Sequence, residues 1–217
     1  MDSQNSISFE HPSSWSSRIA TKLYSRWISW TYPFASLGSH LSAHHSCDIS
    51  RTVASRIKIG NYVRLDREVW LNIPDFSNND EPVIIIEDGC QIGEGTILSA
   101  KNHIHIGQNA ILGPGMLLVD HNHTYEDVNV PISHQGITTG GKVRIEEGCR
   151  FGFGVVIICN QGELVVGKNS VVGENSVLSL SIPANSVVAG NPARPVKKSD
   201  QAERNSAPRS SEFAKKA

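Results

Sequence analysis

A six-residue rhythm constrains this chain more than any other feature. An aliphatic or aromatic residue recurs at Ile59, Leu65, Leu71; Ile86, Ile92, Leu98; Ile106, Leu112, Leu118; Ile145, Phe151, Ile157; Val166, Val172, Leu178; then Val188. Grouped in threes, these positions describe short strands, three to a turn, winding a triangular β-solenoid in which each turn buries its face against its neighbours. A second row tests this. Three residues after the first two marks of each group stand Tyr62, Glu68, Gly89, Gly95, Asn109, Gly115, Gly148, Gly154, Asn169 and Asn175. Eight of these ten are Gly or Asn, which accept the positive φ of a tight corner. One place further come Val63, Val69, Cys90, Thr96, Ala110, Met116, Cys149, Val155, Ser170 and Ser176, mostly small enough for a narrow interior. A helical period gives neither row.

The rhythm breaks once at length, after Leu118. The excursion runs from Asp120 to Gly141 and opens Asp120-His121-Asn122-His123. A long polar loop on a rigid scaffold is where chemistry is usually carried. Histidine suits it, because neutral imidazole can take a proton near pH 7.

Before the solenoid, Trp15, Ile19, Leu23 and Trp27 step by four, Trp30 follows, and Arg18, Lys22 and Arg26 form a second stripe. This is an amphipathic helix that Ser13 or Ser14 can cap. Its aromatic stripe either packs on the main domain or a neighbouring subunit, or makes peripheral membrane contact through residues 14–30. The expected division is an N-terminal polar segment and helix (1–48), a solenoid domain with protruding loop 120–141 (49–198), and a C-terminal tail without apolar period (199–217). Residues 31–50 read as linker. His40, His44 and His45 there lack Cys or carboxylate partners in metal-ligand spacing, and read as surface.

Lysine and arginine total 20 against 21 acids, a formal charge of -1, which gives no electrostatic case for nucleic acid. The four cysteines show neither CxxC nor metal-ligand spacing. Cys90 and Cys149 share a repeat phase and read as small buried hydrophobes. No apolar run approaches the roughly 20 residues of a spanning helix. The expected compartment is the cytoplasm, with the inner membrane face as an alternative.

These rows resemble the hexapeptide-repeat acyltransferases from about Ile57 to Lys197. The resemblance implies an all-β solenoid, a left-handed parallel β-helix, whose hand the periodicity does not supply. The loop, with Asp120-His121-Asn122-His123, Thr124-Tyr125-Glu126-Asp127 and Gln135-Gly136-Ile137-Thr138, is similar to the sugar and polysaccharide O-acetyltransferase branch, which includes galactoside and maltose acetyltransferases. That similarity implies an acetyl-CoA-dependent O-acetyltransferase with His121 as general base, direct transfer without an acyl-enzyme, and backbone N–H groups at a corner for the oxyanion. Asp120, His123 and Tyr125 would meet the sugar or glycan acceptor. Phe153, Gly154, Glu174, Ser179, Arg194 and Lys197 fall on the CoA-contacting positions, with no metal. Leu180 stands where lysine is common, Glu174 where a small residue is usual, and Arg150 where tryptophan is frequent. A loop reaching over a neighbour's face also calls for a closed oligomer, most simply a homotrimer with inter-subunit active sites. The alternatives are a non-catalytic solenoid scaffold, an acceptor such as an amino sugar, and a trimeric carbonic anhydrase-like enzyme drawing on His103, His105, His121 and His123.

Overall fold

The computed structural model describes residues 15–74 and 81–198. The possible caps Ser13 and Ser14, part of the loop after Leu71, and the tail 199–217 lie outside these residues. The chain winds a three-sided prism. Face A holds six parallel strands, Ser36–Leu37, Ile57–Ile59, Ile84–Ile86, Ile104–Ile106, Lys142–Ile145 and Glu163–Val166. Face C holds six more, Asp48–Ile49, Trp70–Asn72, Ile97–Ser99, Leu117–Val119, Val156–Ile158 and Val177–Leu178. Face B holds Ser42–Ala43, Arg64–Leu65, Gln91–Ile92, Ile111–Leu112, Arg150–Phe151, Val171–Val172 and Ser186–Ala189, with Arg194–Lys198 added antiparallel at its end.

Both sequence rows have a direct physical counterpart. All ten predicted corner residues have positive φ, including Tyr62 (56°) and Glu68 (57°). The ten residues that follow them are all at most 1% exposed. Register stacks like on like: Ile59 on Ile86, Ile86 on Ile106, Ile106 on Ile145 and Ile145 on Val166 form one inward column. Each such side chain contributes about 1.5–3 kcal/mol by leaving water, so a short coil is held by its neighbours rather than by itself.

Two expectations need correction. Residues 31–50 are not a linker, because 36–49 form the first complete coil, pairing Leu37 with Ile59, Ala43 with Leu65 and Ile49 with Leu71. The six-residue rhythm therefore begins at Leu37, ahead of the expected boundary at 49. A small alanine at the middle mark and a histidine at the corner disguise it; His40 adopts φ 61°.

The second correction concerns the helix, α1 (Trp15–Thr31). It does pack on the solenoid, but not through its aromatic stripe. Ser25 and Ile28 are its buried residues, whereas Trp15 is 80% exposed, Leu23 65% and Trp30 87%. Ser25 Oγ accepts the N–H of Ala43 at 2.9 Å and shares its proton between the carbonyls of Thr21 and Ala43. Tyr24 donates its hydroxyl to the Cys47 carbonyl. A narrow face of Tyr24, Ser25 and Ile28 thus approaches the open edge of the first coil, Ile28 joining the core while the two hydroxyls satisfy backbone groups that an edge would otherwise leave unpaired. At the other end Arg194–Lys198 closes face B in the same manner.

Candidate active site

The long loop leaves from the edge between faces C and A. At that edge the alternation of the strand Leu117–Val119 sets Leu118 inward, Val119 outward and the next residue inward again. In other coils the inward position belongs to Ile73, Ala100 or Cys159, all buried. Here it is Asp120, 0% exposed. A buried carboxylate costs several kcal/mol unless it is fully hydrogen-bonded, and this one is. Oδ1 accepts the N–H of Lys101 at 2.7 Å and Nδ1 of His121 at 2.9 Å. Oδ2 accepts the N–H groups of Asn102 and His103 at 2.7 and 2.8 Å. Three successive backbone donors from the preceding coil's corner make an anion nest. Burial pushes the Asp120 pKa up, but the His121 bond and these three N–H groups outweigh it and hold the carboxyl below its usual range.

This geometry reassigns Asp120. With both oxygens occupied and no exposed surface, it is closed to an acceptor; among the described residues its one side-chain partner is His121. An ionised carboxylate on Nδ1 requires the proton there, which leaves Nε2 as the basic nitrogen. The His121 side chain is 11% exposed, enough to reach a bound molecule while staying largely out of water.

The returning limb of the loop locks this arrangement. Asn122 and Thr138 exchange hydrogen bonds (Thr138 N–H to Asn122 O, 2.7 Å; Asn122 N–H to Thr138 Oγ1, 3.0 Å), and His123 bridges antiparallel to Ile137. Lys101 Nζ donates to Thr138 O at 2.6 Å, and Asn102 Nδ2 to Thr139 O at 2.8 Å. Gly140, at φ 78°, passes so close that a Cβ would stand 2.7 Å from both the Asp120 carbonyl and Asn102 Nδ2. Further out, Gln135 spans the tip through the backbone of Asp127 and Val130. Tyr125 is 67% exposed and His123 is exposed, so both stand on the open side of the loop.

The residues expected to contact CoA divide between two edges. Phe153 and Glu174 succeed each other on the edge between B and C, joined by the bond from Asn175 N–H to Phe153 O. Phe153 is 58% exposed, its ring over Gly115, and Gly154 makes the corner at φ 66°. Arg194 continues this edge: Val172 pairs with Val188, and Ala189, next along, pairs with Arg194. Lys197 follows on the backbone, but its side chain lies outside what the structure describes. Ser179 and Leu180 occupy the other edge, with His121, two coils further on. Face C lies between. On its outward side Trp70, Ile97, Leu117, Val156 and Val177 form one apolar ladder, with Asp48 beyond Trp70 at its end. Face A at the same phase carries Lys58, Ile85, His105, Arg144 and Val165.

Of the other histidines, His103 and His105 stack at 6.3 Å, and His105 Nε2 lies 2.9 Å from Glu87. Among the described residues no three His, Cys, Asp or Glu side chains of this chain gather in metal-binding geometry. The four cysteines are free and buried, and burial pushes the thiols of Cys47 and Cys90 up to about 12 and about 11.

No family model matches the chain. Among curated proteins it is similar to a Schizosaccharomyces pombe protein named as an acetyltransferase (30% identity over 95 residues; 44% of this chain, 43% of that one). Serine acetyltransferase 2 of Arabidopsis thaliana is 31% identical over 112 residues (51% and 31%), and galactoside O-acetyltransferase of Lactococcus lactis 29% over 131 (60% and 60%). The chain thus spans less than two thirds of the length of these relatives. Solved structures superpose over more of it. One is the N-acyltransferase AntD of Bacillus cereus, crystallised with dTDP and coenzyme A (TM-score 0.67, 20% identity, 84% of this chain and 92% of that one). Another is a maltose O-acetyltransferase of Clostridium difficile (TM-score 0.52, 22%, 84% and 86%). In fold, the chain is a left-handed β-helix of the hexapeptide-repeat acyltransferase type.

Proposed function

We propose that this chain transfers an acetyl group from acetyl-CoA to a hydroxyl of a sugar or glycan, with His121 as general base. The observation that carries the reading is the Asp120–His121 pair, buried in a backbone nest at the root of the loop. In this scheme Nε2 of His121 takes the acceptor's O–H proton as the oxygen attacks the thioester carbonyl. The imidazolium that forms keeps its Nδ1–H on the Asp120 carboxylate. Collapse of the tetrahedral intermediate breaks the C–S bond, and the proton on Nε2 goes to the departing CoA sulfur. Proton transfer of this kind contributes roughly 10²–10⁴-fold. Burial keeps the thiols of Cys47 and Cys90 protonated, which removes these two as acyl-enzyme nucleophiles.

Acyl donor and acceptor follow by analogy. AntD was crystallised with coenzyme A and, in another form, with an amino sugar nucleotide, and the relatives include a galactoside acetyltransferase. Phe153 and Arg194 supply an exposed ring and a cation on one edge, suited to the pantetheine arm and a phosphate of CoA. Because His121 lies on the other edge, the cleft needs a second copy. The apolar ladder on face C supports a cyclic trimer in which one subunit's loop meets a neighbour's edge. His123 and Tyr125, on the open side of that loop, would contact the acceptor. An amino sugar is the second reading, since AntD is an N-acyltransferase.

The test is release of CoA thiol from acetyl-CoA in the presence of hydroxyl and amino sugars, free and nucleotide-linked. Acceptor-dependent release that collapses in His121→Ala supports the reading. Absence of both release and thermal stabilisation by acetyl-CoA would leave the scaffold alternative standing.

A further inference from the structure

The outward side of α1 is unexplained by acyl transfer. At 100° per residue, one continuous arc holds Arg18, Lys22, Trp15, Arg26, Ile19, Trp30, Leu23 and Trp27 in angular order, and all eight are exposed. The opposite arc, with Ser17, Tyr24, Ser25 and Ile28, faces the solenoid. Three of the protein's four tryptophans stand on the outward arc. So do three cations, and α1 contains no Asp or Glu, although the chain as a whole is slightly acidic. Leu23, Arg26, Trp27, Ser29 and Trp30 line a shallow hollow on this surface. No helix among the described residues is long and apolar enough to cross a membrane.

We propose that α1 lies in the plane of an anionic membrane surface and holds the enzyme there as a peripheral protein. Several observations select this occupant. Tryptophan prefers the headgroup boundary, where its ring is buried and its N–H stays wet. Cations beside the aromatic stripe match anionic headgroups. A second copy docking through the same arc would set two cationic stripes against each other. The hydrogen bonds of Tyr24 and Ser25 fix the roll of α1, so the arc faces outward without rearrangement. At about 1.5 Å per residue the helix offers an insertion edge of about 25 Å.

The experiment uses the full chain with vesicles of phosphatidylcholine, with or without phosphatidylglycerol, at low salt. Co-sedimentation is measured alongside the oligomer's mass by light scattering. Binding is expected to the anionic vesicles, and roughly a hundredfold weaker to the neutral ones, the combined effect of three cations. Trp15→Ser/Leu23→Ser/Trp30→Ser changes only exposed side chains and is expected to abolish binding with the oligomer's mass unchanged. Arg18→Gln/Lys22→Gln/Arg26→Gln is expected to remove the preference for anionic lipid. No binding to anionic vesicles, or binding that survives the aromatic triple variant, overturns the proposal. So does a fall in oligomer mass in that variant, which would assign the stripe to contact between copies. None of these readouts depends on acyl transfer.

Discussion

Two positions of the same solenoid edge, one coil apart, show what separates scaffold from site. At Ala100 the inward place after a face C strand holds a methyl group, and the chain turns the corner in a few residues. At Asp120 the same place holds a carboxylate, and the chain leaves for the 120–141 loop before resuming at Lys142. The difference teaches that the loop is not merely tolerated by the fold. The Ala100 corner continues into Lys101, Asn102 and His103, whose N–H groups are the donors that make a buried charge at Asp120 stable. One corner builds the receptor for the next.

The comparison breaks most severely at His121. His121→Ala is expected to lower kcat by about 10²–10⁴-fold while thermal unfolding shifts little, because the nest around Asp120 remains. Asp120→Ala installs the ordinary corner residue. It orphans three backbone N–H groups, at about 1–3 kcal/mol for each unsatisfied group, so denaturant unfolding should show a loss of about 3 kcal/mol or more alongside lost activity. Gly140→Ala forces a Cβ against the Asp120 carbonyl at positive φ. It should cost about 2 kcal/mol and lower activity through the misplaced pair.

A milder contrast is in pH. The Asp120 pKa is held down in the fold. Its contribution to stability is therefore present above the ordinary carboxylate range of about 4 and lost as pH falls through the lowered value. The stability gap between wild type and Asp120→Asn should narrow over that acidic interval. The smallest effect belongs to an ordinary corner. Glu68→Gly, at φ 57°, relieves left-handed strain of about 1 kcal/mol and should leave stability level or slightly raised, with activity unchanged.

Much of the solenoid was legible because its marks are strictly periodic. Ile59 to Val188 and the ten corner residues needed only counting. The first coil was obscured where Leu37, Ala43 and Ile49 keep the rhythm with a weak middle mark. The loop singles out His121 in the sequence, whereas Asp120, expected to meet the acceptor, is buried against it. Counting two residues on from Leu118, at the strand's period, places the Asp120 carboxylate inside the prism, a signal that it must find its partners within the protein. The nest donors leave no side-chain trace, since any residue at 101–103 has an N–H. For α1, the apolar stripe was visible and its direction was not. Small polar residues such as Ser25 made the close contact, which hydrophobic periodicity does not register.

The central claim is that Asp120 acts through His121 as one unit. The direct measurement is the acetyl-transfer rate of Asp120→Asn, His121→Ala and the double variant, with the acceptor that supports CoA release in the wild type. If the claim holds, Asp120→Asn slows the wild type but has no further effect once His121 is alanine. If the two losses multiply, Asp120 contributes independently, and the account of the pair is wrong.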